Sequence, residues 1–170
     1  MQSAARARRI RGPIAIVLKE KPDTIRLPAE NNVVGEIRVK VILVNSADEM
    51  AHRRRKLKKS AIRRFEADAL IDTGAVRSVI PTHVMEKLGV LARGQRVAEY
   101  ADGRTESVAV TEPIIFEILD RDTLEEALVL GDEVFIGRTV LEKLDLHADC
   151  ANRRLMPNPA HPDQPVSKVK

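Results

Sequence analysis

Aromatic residues are nearly missing from this chain of 170 residues: there is no Trp, one Tyr and three Phe. A core of stacked rings is excluded, so the interior has to be built from Val, Ile, Leu and Ala, many of them β-branched and suited to strands. Hydrophobic residues still make up 44% of the chain, and the length is enough for one domain with a real core. A single cysteine, Cys150, excludes an internal disulfide and fits a reducing compartment. It follows Asp149, whose charge disfavours a thiolate, so Cys150 is a poor nucleophile. No apolar run approaches the roughly 18 residues that span a bilayer. The basic N-terminus precedes only Ile14 to Leu18, too short for a signal-peptide core. A disordered tail, or translation from an upstream start, is favoured over a transit peptide. These absences lead us to expect a soluble, cytoplasmic protein without a membrane partner.

Charge is present but unevenly spread. Between Ala51 and Arg64 there are eight basic residues (Arg53, Arg54, Arg55, Lys56, Lys58, Lys59, Arg63, Arg64) and no acid. Subtracting that block's +8 from the chain's +4 leaves the remainder at −4. Such a block reads first as a solvated loop or helix face. Nucleic-acid contact is the lesser reading, because no aromatic residue is interleaved for base stacking. The four histidines, His52, His83, His147 and His161, show no metal-ligand spacing, and no metal or other cofactor is expected.

Residues 1–33 contain Pro13, Pro22 and Pro28 and no sustained period, and read as a disordered extension with at most one strand, Ile14 to Leu18. Residues 34–157 read as the folded domain. Ile37, Val39, Val41 and Leu43 alternate as a half-buried strand. Asn45 to Ser60 suits a short helix or a long loop, and Ile62 to Ile71 a second strand. Val79-Ile80 is a short strand, followed by a helix capped by Thr82 and stopped at Gly89. Ala101-Asp102-Gly103-Arg104 is a hairpin signal, with Asp-Gly suited to a two-residue type I′ turn. Strands are expected on both sides of Pro113, over Glu126 to Leu130, and over Val134 to Gly137. A helix over Arg138 to Leu144 and a hairpin around Asn152 complete the domain. Residues 158–170 read as an irregular tail. The predicted fold class is all-β, mainly antiparallel: a small closed barrel with one or two short helices.

The most informative stretch is Ala69-Leu70-Ile71-Asp72-Thr73-Gly74-Ala75. An ionised carboxylate at the end of an apolar strand is expensive unless paired or hydrogen-bonded. Thr73 adds a hydroxyl, and Gly74 permits a sharp turn close to a ligand. Taken alone, Asp72 could equally be a turn residue capping backbone N–H groups.

Three ordered segments tip the balance. Leu70 to Ala75 with Ser78, then Tyr100-Ala101-Asp102-Gly103-Arg104, then Phe135-Ile136-Gly137-Arg138 with its following helix, resemble the retropepsin-like aspartic proteases. Asn152 to Leu155 and Pro157 to Pro162 resemble the prokaryotic branch of that group. The resemblance runs from about Gly35 to Asp163. It implies a catalytic Asp72, with Thr73, Gly74 and Ala75 supporting the active-site loop. Tyr100, Ala101, Asp102, Gly103 and Arg104 would be a flap over bound peptide. Ile136, Gly137 and Arg138 would support the loop from a second segment. One departure stands out: where retroviral members carry an acid that pairs with the Arg of Gly-Arg, this chain has Val76.

This chemistry needs two carboxyls about 3 Å apart sharing a proton. Asp102, Asp132 and Asp149 do not follow a buried strand, and the chain has one Asp-Thr-Gly. The second carboxylate is therefore expected from another copy, making the partner a second chain in a C2 homodimer, with a peptide or protein as substrate. The alternative is a non-catalytic peptide-binding or dimerisation module of the same fold.

Overall fold

The computed structural model describes residues 36–100, 102–167 and 169. The expected extension 1–33, with its strand Ile14 to Leu18, and Ala101 of the expected flap lie outside them. β1 (Arg38–Asn45) and β2 (Arg64–Asp72) pair antiparallel, with Val41 opposite Ala67 and Leu43 opposite Phe65. Between them lies α1 (Ser46–Arg53), so the basic segment begins as a helix and continues as a loop. Asn45 starts that helix: its Oδ1 accepts from Asp48 N–H at 3.0 Å while its Nδ2 donates to the Leu88 carbonyl at 2.9 Å. Arg63 Nε donates to Asp48 at 2.7 Å and holds that carboxyl below its ordinary range. Arg64 and Arg53 pair with Glu117 and Glu49, while Arg54, Arg55, Lys56, Lys58 and Lys59 are exposed.

β3 (Val79–Ile80) leads to α2 (Thr82–Leu88), which ends at Gly89 with φ +61°. Thr82 is not the cap. Pro81 holds that position, with φ −66° and ψ 156°, so the helix starts one residue early and Thr82 is already helical. β4 (Ala92–Glu99) and β5 (Thr105–Thr111) form the long hairpin. Its turn is a three-residue loop, not a two-residue one. Tyr100 N–H donates to the Arg104 carbonyl at 2.8 Å, and Gly103, at φ +82°, donates to the Tyr100 carbonyl. Glycine in the left-handed region closes this longer turn as readily as a type I′ pair.

β6 (Ile114–Ile118) turns into β7 (Arg121–Glu125) through Leu119 and Asp120, both at positive φ. This strand is not apparent in the sequence, because it is polar and its turn contains no Gly. The strand expected over Glu126 to Leu130 is only β8 (Leu128–Val129). β9 (Phe135–Gly137), α3 (Arg138–Lys143), β10 (Leu146–Asp149) and β11 (Arg154–Pro157) follow as expected.

Nine strands join in the order β4-β5-β8-β3-β9-β2-β1-β6-β7, with β10 and β11 as a separate pair. The protein is thus mostly β and mainly antiparallel, as expected, and its sheet curls as a half-barrel with β4 and β7 at its edges. Leu43, Ile80, Val84, Leu88, Phe116, Ile118, Ile136, Val140 and Leu144 fill the interior. Phe116 is the one aromatic ring among the fully buried side chains, so small aliphatic groups carry the packing.

Candidate active site

The apolar alternation of β2 buries Ala69 and leaves Asp72 at the strand's end, half-buried. β2 runs parallel to β9, with Ile71 beside Ile136 and Asp72 beside Gly137. Two of the three sequence segments are therefore neighbouring strand ends. Beyond Asp72 the chain folds back on its carboxylate: Gly74 and Ala75 N–H donate to Asp72 Oδ1 at 2.9 and 3.1 Å. Among the described residues, Oδ2 accepts no hydrogen bond. Thr73 is exposed beside it.

The returning arm of the loop is tied to β9 and α3. The wholly buried Ser78 Oγ accepts from Gly137 N–H at 3.0 Å. Arg138 N–H donates to the Ala75 carbonyl at 2.8 Å, and Thr139 donates to the Val76 carbonyl from both its N–H and its hydroxyl. Glycine is required at 137, since a Cβ there would stand 2.4 Å from Arg77 C and 2.6 Å from Arg77 O. The Arg138 side chain turns along its own helix and pairs with Glu142 at 3.4 Å. Its backbone, not its charge, supports the loop. Ser78, Thr139 and Gly137 form this brace. Thr139 has no signal in the sequence, because its role depends on which backbone carbonyl the fold presents.

The hairpin segment is organised differently. Asp102 is engaged by Arg104 Nε at 2.6 Å, which lowers its pKa. The Arg104 guanidinium lies 5.0 Å from the centre of the Tyr100 ring. Tyr100 hydroxyl donates to Glu106 at 2.7 Å, which raises the phenol's pKa. Asp102, Arg104 and Glu106 are exposed and Tyr100 half-buried, and each partner named lies within the hairpin. Asp149, likewise, is taken by Asn152 and Arg154, and Asp132 lies exposed in a turn. None of the three is paired with Asp72. Among the described residues, no group of three His, Cys, Asp or Glu is arranged to hold a metal ion, and no helix is long and apolar enough to cross a membrane.

No protein-family profile matches the chain, and no curated protein matches it. Solved structures do. An EIAV protease complexed with the inhibitor HBY-793 aligns with TM-score 0.43 and 20% identity over 62% of this chain and 86% of the protease. A foamy viral protease-reverse transcriptase in complex with an RNA/DNA hybrid aligns with TM-score 0.40 and 18% identity, over 64% of this chain but only 11% of that protein.

Proposed function

We propose that this chain is an aspartic endopeptidase of the retropepsin-like kind, closest in its C-terminal motifs to the prokaryotic branch, acting as a homodimer. The observation that carries the reading is the Asp72 carboxylate, set at a strand end, held on one oxygen by Gly74 and Ala75, and open on the other. The two N–H groups orient the carboxylate. A symmetry-related Asp72 supplies the second carboxyl. One carboxylate takes a proton from a water between them, while the protonated partner polarises the scissile carbonyl; the roles then reverse. Such a pair titrates as a unit. Thr73, exposed beside Asp72, ties the two loops across the dimer, and residues 100–104 close over an extended peptide. The protease domain is residues 34–157, and the enzyme is cytoplasmic and needs no cofactor.

Asp72→Asn tests this directly. Cleavage of casein or a peptide library at pH 4 to 7, present in the native protein and inhibited by a pepstatin-like compound, should vanish in a variant that still sediments as a dimer. Cleavage that survives in pure variant protein overturns the reading. A dimer that binds peptides and never cleaves them marks a non-catalytic module instead.

A further inference from the structure

At the root of the long hairpin, Arg93, Gly94, Arg96, Val110 and Glu126 line a half-open cleft of about 260 Å³. Gly94 lies opposite Val110 and Arg96 opposite Val108, so all four lie on one face of β4 and β5. Val110 is buried and gives the cleft an apolar floor. At Gly94 nothing lies within 4 Å of where a Cβ would stand, so the space above the strand is open. The pairing register slips between Ala92 and Gly94, and Arg93 reaches out to Glu126 from that irregularity.

Glu126 connects the cleft to the catalytic loop. Its Oε1 accepts from Arg93 Nη1 at 2.6 Å, on the hairpin. Its Oε2 accepts from Arg77 Nη1 at 3.4 Å, five residues beyond Asp72. Both oxygens are thus occupied by guanidinium groups. Glu126 is only 18% exposed, whereas Arg77 and Arg93 are 37% and 65% exposed. Arg96 is unmatched: among the described residues its one hydrogen bond is to the Gln95 carbonyl, and no carboxylate lies within ion-pairing distance. Arg93 and Arg96 thus line the cleft with a single carboxylate, Glu126, which is taken by Arg93 and by Arg77 from outside the cleft, so the Arg96 charge stands beside the apolar floor.

We propose that this cleft takes an acidic side chain of the substrate, with Arg96 as the group that selects it. The proposal rests on the peptidase reading above and names the substrate class of the same site. β4 is an edge of the sheet, and a substrate peptide extended along it would set one of its side chains over the cleft, at a position beside the scissile bond. The carboxylate of Asp or Glu meets the Arg96 guanidinium there, while its methylene groups lie on Val110. The favourable term is modest, because an exposed ion pair is screened by water and salt.

The test is a proteome-derived peptide library, cleaved by the native protein and bound by the Asp72→Asn variant, at about pH 6 where Asp and Glu are ionised. Asp and Glu should be enriched over Asn and Gln at one flanking position by about two- to fivefold, the range an exposed pair provides. Arg96→Gln should erase that enrichment, and Arg96→Glu should turn it toward Lys and Arg, with unchanged thermal unfolding. Enrichment should also fade at high salt. Acidic enrichment that is absent, or indifferent to both Arg96 variants, overturns the proposal while cleavage itself leaves the peptidase reading standing. Arg96-dependent acidic enrichment among bound peptides, without any cleavage, supports the cleft and overturns the peptidase reading.

Discussion

The loop around Asp72 and the hairpin tip are both short glycine-containing turns, yet they are stabilised in opposite ways. The loop around Asp72 is braced from outside, by strand and helix residues some sixty positions away: Ser78 to Gly137, Ala75 to Arg138, Val76 to Thr139. The hairpin tip is held by partners within itself: Tyr100 with Glu106, Arg104 with Asp102. The first arrangement fixes a carboxylate in place, as preorganised chemistry requires. In the second, the side-chain bonds of the described tip residues are local, so opening the tip breaks local contacts.

Matched glycine substitutions should separate the two regions most. Gly137→Ala drives a Cβ into the backbone of Arg77 and Ser78, and should destabilise the protein by about 3 kcal/mol or prevent folding. Gly103→Ala meets no atom and strains only its φ of +82°, so urea unfolding should report about 1 kcal/mol. Comparable losses would erase the distinction.

Arg121→Ala, next in size, shows whether the C-terminal segment is braced like the loop. Arg121 is buried and donates to the carbonyls of Leu144, Asp145, His161 and Pro162. Its loss should cost about 2 to 3 kcal/mol, with hydrogen exchange rising around residues 158–166.

Hydrogen-bond deletions sharpen the contrast further. Ser78→Ala leaves the buried Gly137 N–H without its acceptor and should cost about 2 kcal/mol. Tyr100→Phe removes an exposed bond and should leave the urea midpoint nearly unchanged.

The smallest effect is a pH dependence near the chain's end. Asn158 Nδ2, donating to Asp145 at 2.8 Å, and then His161 hold the Asp145 carboxyl below its ordinary value of 3.8. A lowered folded-state pKa contributes stability that is present above the ordinary value and is lost as pH falls through the lowered one. Asp145→Asn should therefore flatten part of the stability loss below about pH 4, as read by thermal unfolding. An unchanged acid limb would show that the segment's bonds do not include this carboxylate.

Much of this architecture was legible in the chain because it rests on local rules. The alternation of Ile37 to Leu43 marks β1, Gly89 marks the end of α2, and the apolar run before Asp72 marks a strand end. β7 was illegible, since Arg121 to Glu125 carries no hydrophobic alternation and Leu119-Asp120 turns without glycine. Its place is set by pairing with β6 and by the burial of Arg121. The cap of α2 is illegible for a subtler reason: Thr and Pro both suit a helix start, and one residue decides between them. At the site, Asp72, Gly74 and Gly137 stand out by type and position. Arg77, Glu126 and Thr139 do not, because a charge or hydroxyl acquires its role only from what the fold sets opposite it.

The sequence by itself determined an aliphatic, strand-rich interior and a lone carboxylate placed after a buried strand, since hydrophobic period and turn chemistry act over a few residues. Only the tertiary structure decided that the loop holding this carboxylate is braced by Gly137 and Thr139, and that Glu126 links it to the hairpin. Those contacts join residues far apart in the chain, and their partners are chosen by strand order and register rather than by neighbours in sequence.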